Sequence, residues 1–175
     1  MHRNLAGVRQ ARQIAGMNSA FKQVFRFSDA DETAGFAAML APRLGAGDTI
    51  LLHGDLGAGK THFARALIQA RLAVAGLAED VPSPSFTLVQ TYSDGEIEIW
   101  HADLYRLTGP GEVIELGLEE AFGTAICLVE WPDRLDDLTP AGALVLEFQM
   151  TAQQGERVVT ALSRDARWAG IVGNG

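Results

Sequence analysis

The segment Leu51–Thr61, LLHGDLGAGKT, limits what this chain can fold into more than any other segment does. Gly54 is followed by four residues and then by Gly59, Lys60 and Thr61, which matches the pattern G-x-x-x-x-G-K-[ST]. An apolar run precedes these residues and a helical pattern follows them. Strand, glycine loop and helix in this order are the context that a phosphate-binding loop requires.

The residue types of this segment suit phosphate chemistry. Glycines let successive backbone N–H groups point inward at phosphate oxygens, and the positive end of the following helix adds to that field. We expect Lys60 to reach the outer phosphates and the Thr61 hydroxyl to bind Mg²⁺. The alternative interpretation is a glycine-rich turn without a ligand, and the flanking pattern favours the phosphate loop.

Composition points to one ordinary globular domain. The chain has 175 residues, of which 47% are apolar and 21% charged. Its apolar runs are too short to span a bilayer, which predicts a protein without a membrane segment. The single cysteine, Cys127, allows no disulfide within the chain, and no Cys/His cluster has zinc spacing.

The charge of −8 is unevenly distributed. Five basic residues precede the first acid, Asp29, so the remainder is strongly acidic and is a poor candidate for gripping DNA or RNA directly. Residues 1–20 are predicted to be a basic, disordered extension. Two alternatives are residues upstream of a true start at Met17 and an Arg-rich targeting segment.

Hydrophobic patterning predicts an α/β fold. Besides the strand before the glycine loop, it indicates strands at Phe21–Phe27, Phe86–Tyr92, Glu96–Trp100, Ala125–Val129, Leu144–Met150 and Arg157–Leu162. Helices are predicted after a cap at Ser28-Asp29, after the glycine loop and over Glu112–Phe122. Because hairpins dominate after the loop, we expect a single P-loop NTPase-like domain, residues 21–165, with a mixed central sheet flanked by helices. Residues 166–175 are interpreted as a C-terminal tail.

A phosphate loop needs an acid on the metal side, and two acids follow predicted strands. Glu130 follows ICLV, and Asp103 follows IEIWH. The alternatives are a solvated carboxylate for Glu130 and a pair with Arg106 for Asp103. His101 is a weaker candidate, because a histidine at a strand end is more often a structural hydrogen-bond donor than a base. Trp131 can stack on a base, cover the phosphates or pack at the rim of the core.

With the glycine loop, SPSFTLV, HADLYRL and CLVEWPDR in this order, the chain resembles the TsaE (YjeE) family from about Phe27 to Leu162. The resemblance implies a cytoplasmic ATPase that is needed to make threonylcarbamoyladenosine in tRNA. It also implies TsaD–TsaB-type partners and contact with tRNA only through that complex. Because the sequence shows no obvious arginine finger, we expect slow turnover by the chain alone and faster turnover in the complex. ATP is also the default nucleotide because no N-K-x-D-type segment follows the loop.

The resemblance assigns roles to residues that match the family motifs. It implies that ATP is held by Asp55, Leu56, Gly57, Ala58, Gly59, Lys60 and Thr61, and Mg²⁺ by Thr61 and Glu130. Lys60, Asp103 and Glu130 form the implied catalytic set, with Asp103 near the γ-phosphate. In the switch-like segment Ser83-Pro84-Ser85, Ser85 replaces the family's threonine and keeps its hydroxyl. Trp131 remains a candidate nucleotide contact on its own chemistry, and Thr33 and Arg157 align less securely with the family's nucleotide contacts.

Two other functions remain open. A small-molecule kinase needs an arginine-bearing lid, and Arg106, Arg134 and Arg157 are scattered along the sequence. A nucleotide-switched interaction module would bind ATP without useful hydrolysis.

Overall fold

Seven strands form one mixed sheet in the computed structural model, which describes residues 18–173. The strands are β1 (Phe21–Phe27), β2 (Thr49–Gly54), β3 (Val89–Ser93), β4 (Glu98–Asp103), β5 (Ile126–Glu130), β6 (Leu144–Met150) and β7 (Arg157–Ser163). Their order across the sheet is β1-β7-β6-β2-β5-β4-β3. The four central strands are parallel, and the pairs at the two edges are antiparallel. The predicted α/β fold with a mixed sheet is therefore confirmed.

Helices cover both faces of the sheet. They are α1 (Ala30–Leu40), α2 (Lys60–Val74), α3 (Pro110–Glu115), α4 (Leu118–Thr124) and α5 (Trp168–Val172), and 3-10 turns lie at Ala41–Arg43, Pro132–Arg134 and Asp136–Leu138. Alternate residues of β2 enter two cores: Ile50 and Leu52 pack with α1 and α2, while Leu51 packs with α3 and α4. No helix of the described residues has the length and apolar character that a bilayer span requires.

The strand register brings three strand ends together at one edge. Leu52 of β2 pairs with Glu130 of β5, and Glu130 also pairs with Asp103 of β4. Because these strands are parallel, the glycine loop and both acids leave the sheet at the same edge. The fold thus places the residues that sequence analysis selected next to one another.

The predicted strand Phe86–Tyr92 is wrong at its start, because β3 begins at Val89. Residues 84–87 form a turn, which the Leu88 N–H closes by donating to the Pro84 carbonyl at 2.7 Å. Leu88 has φ +67, so the backbone is not extended there, and Phe86 is 86% exposed. Pro82 and Pro84 keep residues 81–85 non-helical, as predicted.

The single predicted helix Glu112–Phe122 is also wrong. It is divided into α3 and α4 by Gly117, whose φ of +78 cannot continue a right-handed helix. Apolar residues on both sides of the break, Val113 and Leu118, still reach the same core. The predicted hydrophobic periodicity was correct. The left-handed Gly117 ends one helix and starts the next, and the same face stays buried on both sides.

The segment that sequence analysis interpreted as a tail contributes to the core. Trp168 of α5 is fully buried, and its Nε1–H donates to the Gly142 carbonyl at 2.8 Å. Val172 is 1% exposed in the same core. Most of the predicted N-terminal extension, residues 1–17, lies outside the described residues.

The hairpin between β3 and β4 is closed by Asp94. Its Oδ1 accepts hydrogen bonds from the Ile97 and Glu96 amides at 2.7 and 2.9 Å, and Arg71 Nε donates to Oδ2 at 2.6 Å. These interactions lower the pKa of Asp94 from 3.8 to about 2, and the two amide hydrogen bonds contribute most to the shift. A depressed carboxyl pKa stabilises the fold above the unfolded-state pKa, and this contribution is lost as pH falls toward 2.

We expect Asp94→Asn to lower the free energy of unfolding by about 1–2 kcal/mol at pH 7, because asparagine keeps the amide acceptor and loses the charge. The difference from wild type should shrink as pH falls below about 4. Urea unfolding at pH 7 and pH 3 measures both values, with the exposed Asp31→Asn as control. A difference that does not change with pH would contradict the assignment.

Candidate nucleotide site

The glycine loop joins the buried strand β2 to helix α2 through three left-handed or otherwise positive-φ glycines. Gly54, Gly57 and Gly59 have φ values of +143, +77 and +107, and Gly59 is the N-cap of α2. The first amides of a helix have no acceptor within the helix, so those of α2 face the loop with unused donors. This backbone is suited to an anion at the start of α2.

Lys60, the first residue of α2, folds back over the loop. Its Nζ donates to the Gly54 and Asp55 carbonyls at 2.6 and 2.8 Å and lies 4.2 Å from the Trp131 ring centroid. The residue is only 4% exposed, and this burial lowers the pKa of Lys60, although Glu130, Asp103 and Asp55 oppose the shift. A buried ammonium that donates to two backbone carbonyls and contacts an aromatic ring is well placed to bind an anion instead.

Glu130 lies at the end of β5 and accepts two hydrogen bonds. The Thr61 hydroxyl donates to Oε2 at 2.8 Å, and His101 Nε2 lies 2.8 Å from Oε1. Glu130 is 2% exposed, which excludes the solvated-carboxylate alternative. The Thr61 hydroxyl and Glu130 thus form one oxygen cluster beside the glycine loop.

Asp103 lies beside Glu130 in the sheet and connects the strand ends to the Ser83–Ser85 segment. The Ser85 hydroxyl donates to Oδ2 at 3.2 Å, and the Tyr105 amide donates to Oδ1 at 3.0 Å. Ser85 is in turn bonded to Ser83 through their hydroxyls at 2.7 Å. The serine that replaces the family's threonine therefore reaches the predicted acid.

Trp131 and Arg157 border the glycine loop at different residues. Trp131 has the left-handed φ of +56, and its ring packs against Tyr105 at 4.8 Å. Arg157, at the start of β7, donates from Nε to the Ala58 carbonyl at 2.8 Å and from Nη2 to the Gly57 carbonyl at 3.3 Å. These bonds hold the Gly57 and Ala58 carbonyls of the loop against the Arg157 guanidinium.

Of the residues assigned to the nucleotide site from the sequence, Thr33 is the one that is not joined to this cluster within residues 18–173. Its hydroxyl donates to the Asp29 carbonyl at 3.2 Å, inside the first turn of α1. The exposed Asp55, Leu56 and Gly57 form the tip of the glycine loop. Sequence analysis did not foresee that His101 bonds to Glu130, although its position two residues before Asp103 was a usable signal.

Comparison with known proteins identifies the family. The family model described as "Threonylcarbamoyl adenosine biosynthesis protein TsaE" matches residues 27–159. The chain belongs to the TsaE family. This confirms the resemblance found in the sequence motifs.

Relatives and one solved structure agree with the TsaE assignment. The chain is 39% identical to a TsaE protein of Rickettsia bellii over 120 residues, covering 69% of this chain and 81% of the relative. It is 35% identical to a TsaE protein of Bacillus subtilis over 137 residues, covering 78% and 82%. The crystal structure of Bacillus subtilis YdiB matches with a TM-score of 0.71 and 28% identity, covering 87% of this chain and 93% of that one.

The oxygen cluster of this TsaE chain fits a hard cation better than a soft one. Its donors are a hydroxyl and a carboxylate, Thr61 and Glu130, which are the ligand types that Mg²⁺ prefers. Within residues 18–173, no group of three or more His, Cys, Asp or Glu side chains could hold a metal by itself. A metal at Thr61 and Glu130 would therefore take its remaining ligands from water and phosphate oxygens.

Proposed function

We propose that this chain is a Mg²⁺-dependent ATPase that serves the formation of threonylcarbamoyladenosine in tRNA. The observation that carries the proposal is the 2.8 Å bond between Thr61 and Glu130, directly beside the glycine loop of a TsaE-family chain. It unites the end of the loop with the acid at the end of the neighbouring strand. Such a pair is what a nucleotide-bound Mg²⁺ needs from a protein.

The glycine loop and Lys60 would bind the phosphates of ATP. Lys60 would exchange its carbonyl partners for phosphate oxygens, because a charge-assisted bond to an anion stabilises a buried ammonium better than bonds to neutral carbonyls do. Arg157 would help to fix the loop in this conformation, since it bonds the Gly57 and Ala58 carbonyls. Trp131 would cover the site from the side of Lys60 and limit the entry of water.

Thr61 and Glu130 would hold Mg²⁺, which supplies charge neutralisation of the phosphates during transfer. Asp103 would orient the attacking water, because its carboxylate lies at the neighbouring strand end and is 7% exposed. Ser85 would couple the conformation of the Ser83–Ser85 segment to the nucleotide state of the site, since its hydroxyl contacts Asp103.

The proposed partners are TsaD–TsaB-type proteins in the cytoplasm, and tRNA would be contacted only through them. The acidic charge supports this arrangement, because a protein partner requires no basic groove on this chain. Phe86 and Tyr105 are 86% and 54% exposed near Ser85 and Asp103 and offer apolar contacts beside the site.

We expect slow ATP hydrolysis by the chain alone and at least about tenfold faster hydrolysis with TsaD–TsaB, since partner groups can complete a phosphoryl-transfer site. Asp103→Asn should lower the partner-accelerated rate of hydrolysis about tenfold and leave the affinity for ADP within about threefold of wild type. Steady-state phosphate release with and without partners measures this, with Asp31→Asn as the exposed control. Equal rates with and without partners would contradict the proposal.

A nucleotide-switched module is the second candidate, favoured by the bond between Ser85 and Asp103. In that case the tRNA modification should persist in cells that carry Asp103→Asn, although hydrolysis by this variant is reduced. A small-molecule kinase instead predicts phosphate transfer to a metabolite acceptor, which a substrate screen detects.

A further inference from the structure

His101 has no role in the proposed function, yet it is the most completely buried polar side chain near the site. It lies in β4 between β3 and β5, pairs with Gln90 and Leu128, and is 0% exposed. Within residues 18–173 its Nδ1 has no hydrogen-bond partner, so the 2.8 Å contact of Nε2 with Glu130 Oε1 is the ring's one polar interaction. Because a carboxylate oxygen accepts, this contact requires a proton on Nε2.

The two bonds to Glu130 fix different oxygens of its carboxylate. Thr61 donates to Oε2 and His101 to Oε1, so rotation of the carboxylate would break both. Without the His101 bond, only the Thr61 hydroxyl would hold the carboxylate, and that hydroxyl must also offer a lone pair to a metal. The electrostatic attraction of Lys60 for Glu130 would then compete for the released oxygen.

We propose that His101 is a positioning residue that holds the Glu130 carboxylate ready for a divalent cation and away from Lys60. The inference rests on the proposed function and adds a residue on which the coupling between Mg²⁺ and nucleotide depends. Outer partners of a metal-binding carboxylate commonly change metal affinity by 10- to 100-fold when they are replaced. Replacing His101 should therefore weaken nucleotide binding in the presence of Mg²⁺ and leave nucleotide binding without the metal nearly unchanged.

The experiment compares ADP affinity in MgCl₂ with ADP affinity in EDTA, by calorimetry on the full chain. The ratio of the two dissociation constants is the coupling. His101→Leu should reduce this ratio about tenfold while affinity in EDTA stays within about threefold of wild type. His101→Gln places an amide N–H near the Nε2 position and should restore most of the ratio. His101→Asn, whose amide corresponds to Nδ1, should resemble His101→Leu.

A double-mutant cycle with Glu130→Gln separates positioning from a general loss of packing. In the Glu130→Gln background, His101→Leu should change the ratio by less than about twofold, because the residue on which it acts is already lost. Urea unfolding of each variant verifies that it is folded. If His101→Leu does not fold, His101→Gln and His101→Asn still decide the matter.

The outcomes separate the two proposals. A wild-type chain that binds ADP with coupling that no His101 variant alters would overturn the inference alone. A similar loss for His101→Gln and His101→Leu would also overturn it, since the N–H at the Nε2 position would then have no role. A wild-type chain that binds neither ADP nor ATP would overturn the proposed function and this inference with it.

Discussion

Lys60→Ala should reduce ATP hydrolysis by at least about a hundredfold and should fail to restore threonylcarbamoyladenosine to tRNA in cells depleted of this protein. The substitution removes the only lysine of the glycine loop and the ammonium that the loop carbonyls hold at 2.6 and 2.8 Å. The remaining loop amides can still contact phosphates, so we expect binding to weaken less than turnover. Loss of turnover would reflect charge that no other described side chain supplies from that position.

The measurement has two parts. Purified protein is assayed for phosphate release with its partners, and bulk tRNA from depleted and rescued cells is analysed by nucleoside mass spectrometry. Lys22→Ala is the matched control, because it makes the same charge change at an exposed position of β1. Urea unfolding verifies that Lys60→Ala is folded, since the variant leaves two loop carbonyls without their donor.

Either part can fail independently. If hydrolysis falls and the modification persists, the chain acts by binding ATP and not by cleaving it. If the modification does not fall on depletion, and no second copy compensates, the pathway assignment is wrong although the site remains. If Lys60→Ala retains hydrolysis within tenfold of wild type, the glycine loop is not the phosphate site.

The placement of the two acids could be predicted from sequence because it depends on short-range patterns. The runs before Asp103 and Glu130 are apolar and strand-like, and parallel strands bring their carboxyl ends to one edge. The glycine spacing predicted the phosphate-binding loop for the same reason, since this motif requires only a strand, a turn and a helix in order. The strand ends and the loop could thus be found from local patterns, whereas the pairing of β4 with β5 that sets Asp103 beside Glu130 became visible only in the fold.

Other features required long-range contacts that no local pattern contains. The bond from His101 to Glu130 joins residues that meet only when β4 and β5 pair, and Arg157 reaches the loop only through the position of β7. Trp168 was missed because its partner, Gly142, lies 26 residues earlier and α5 is too short to show a helical period. Gly117 was missed because an isolated glycine can continue or end a helix, and only packing decides.

Gly54→Ala should lower the free energy of unfolding by about 2–4 kcal/mol in the absence of nucleotide. A Cβ at this position would lie 2.7 Å from the Phe148 carbonyl oxygen and 3.1 Å from the Phe148 Cβ, and φ is already +143. The contact arises because β2 and β6 pair at Gly54 and Phe148, so the backbone cannot move without breaking the central sheet. The predicted loss of stability therefore comes from the fold itself and does not depend on any effect on phosphate binding.

Gly57→Ala is the matched control, since its φ of +77 is also positive but nothing lies within 4 Å of the added Cβ. The strain of a left-handed alanine alone should cost about 1 kcal/mol. Urea unfolding of both variants, compared with wild type, measures the excess cost at Gly54. A larger loss for Gly54→Ala would show that the contact with Phe148 and the φ of +143 require the glycine beyond the cost of a left-handed backbone, whereas equal losses would show that a positive φ alone accounts for it.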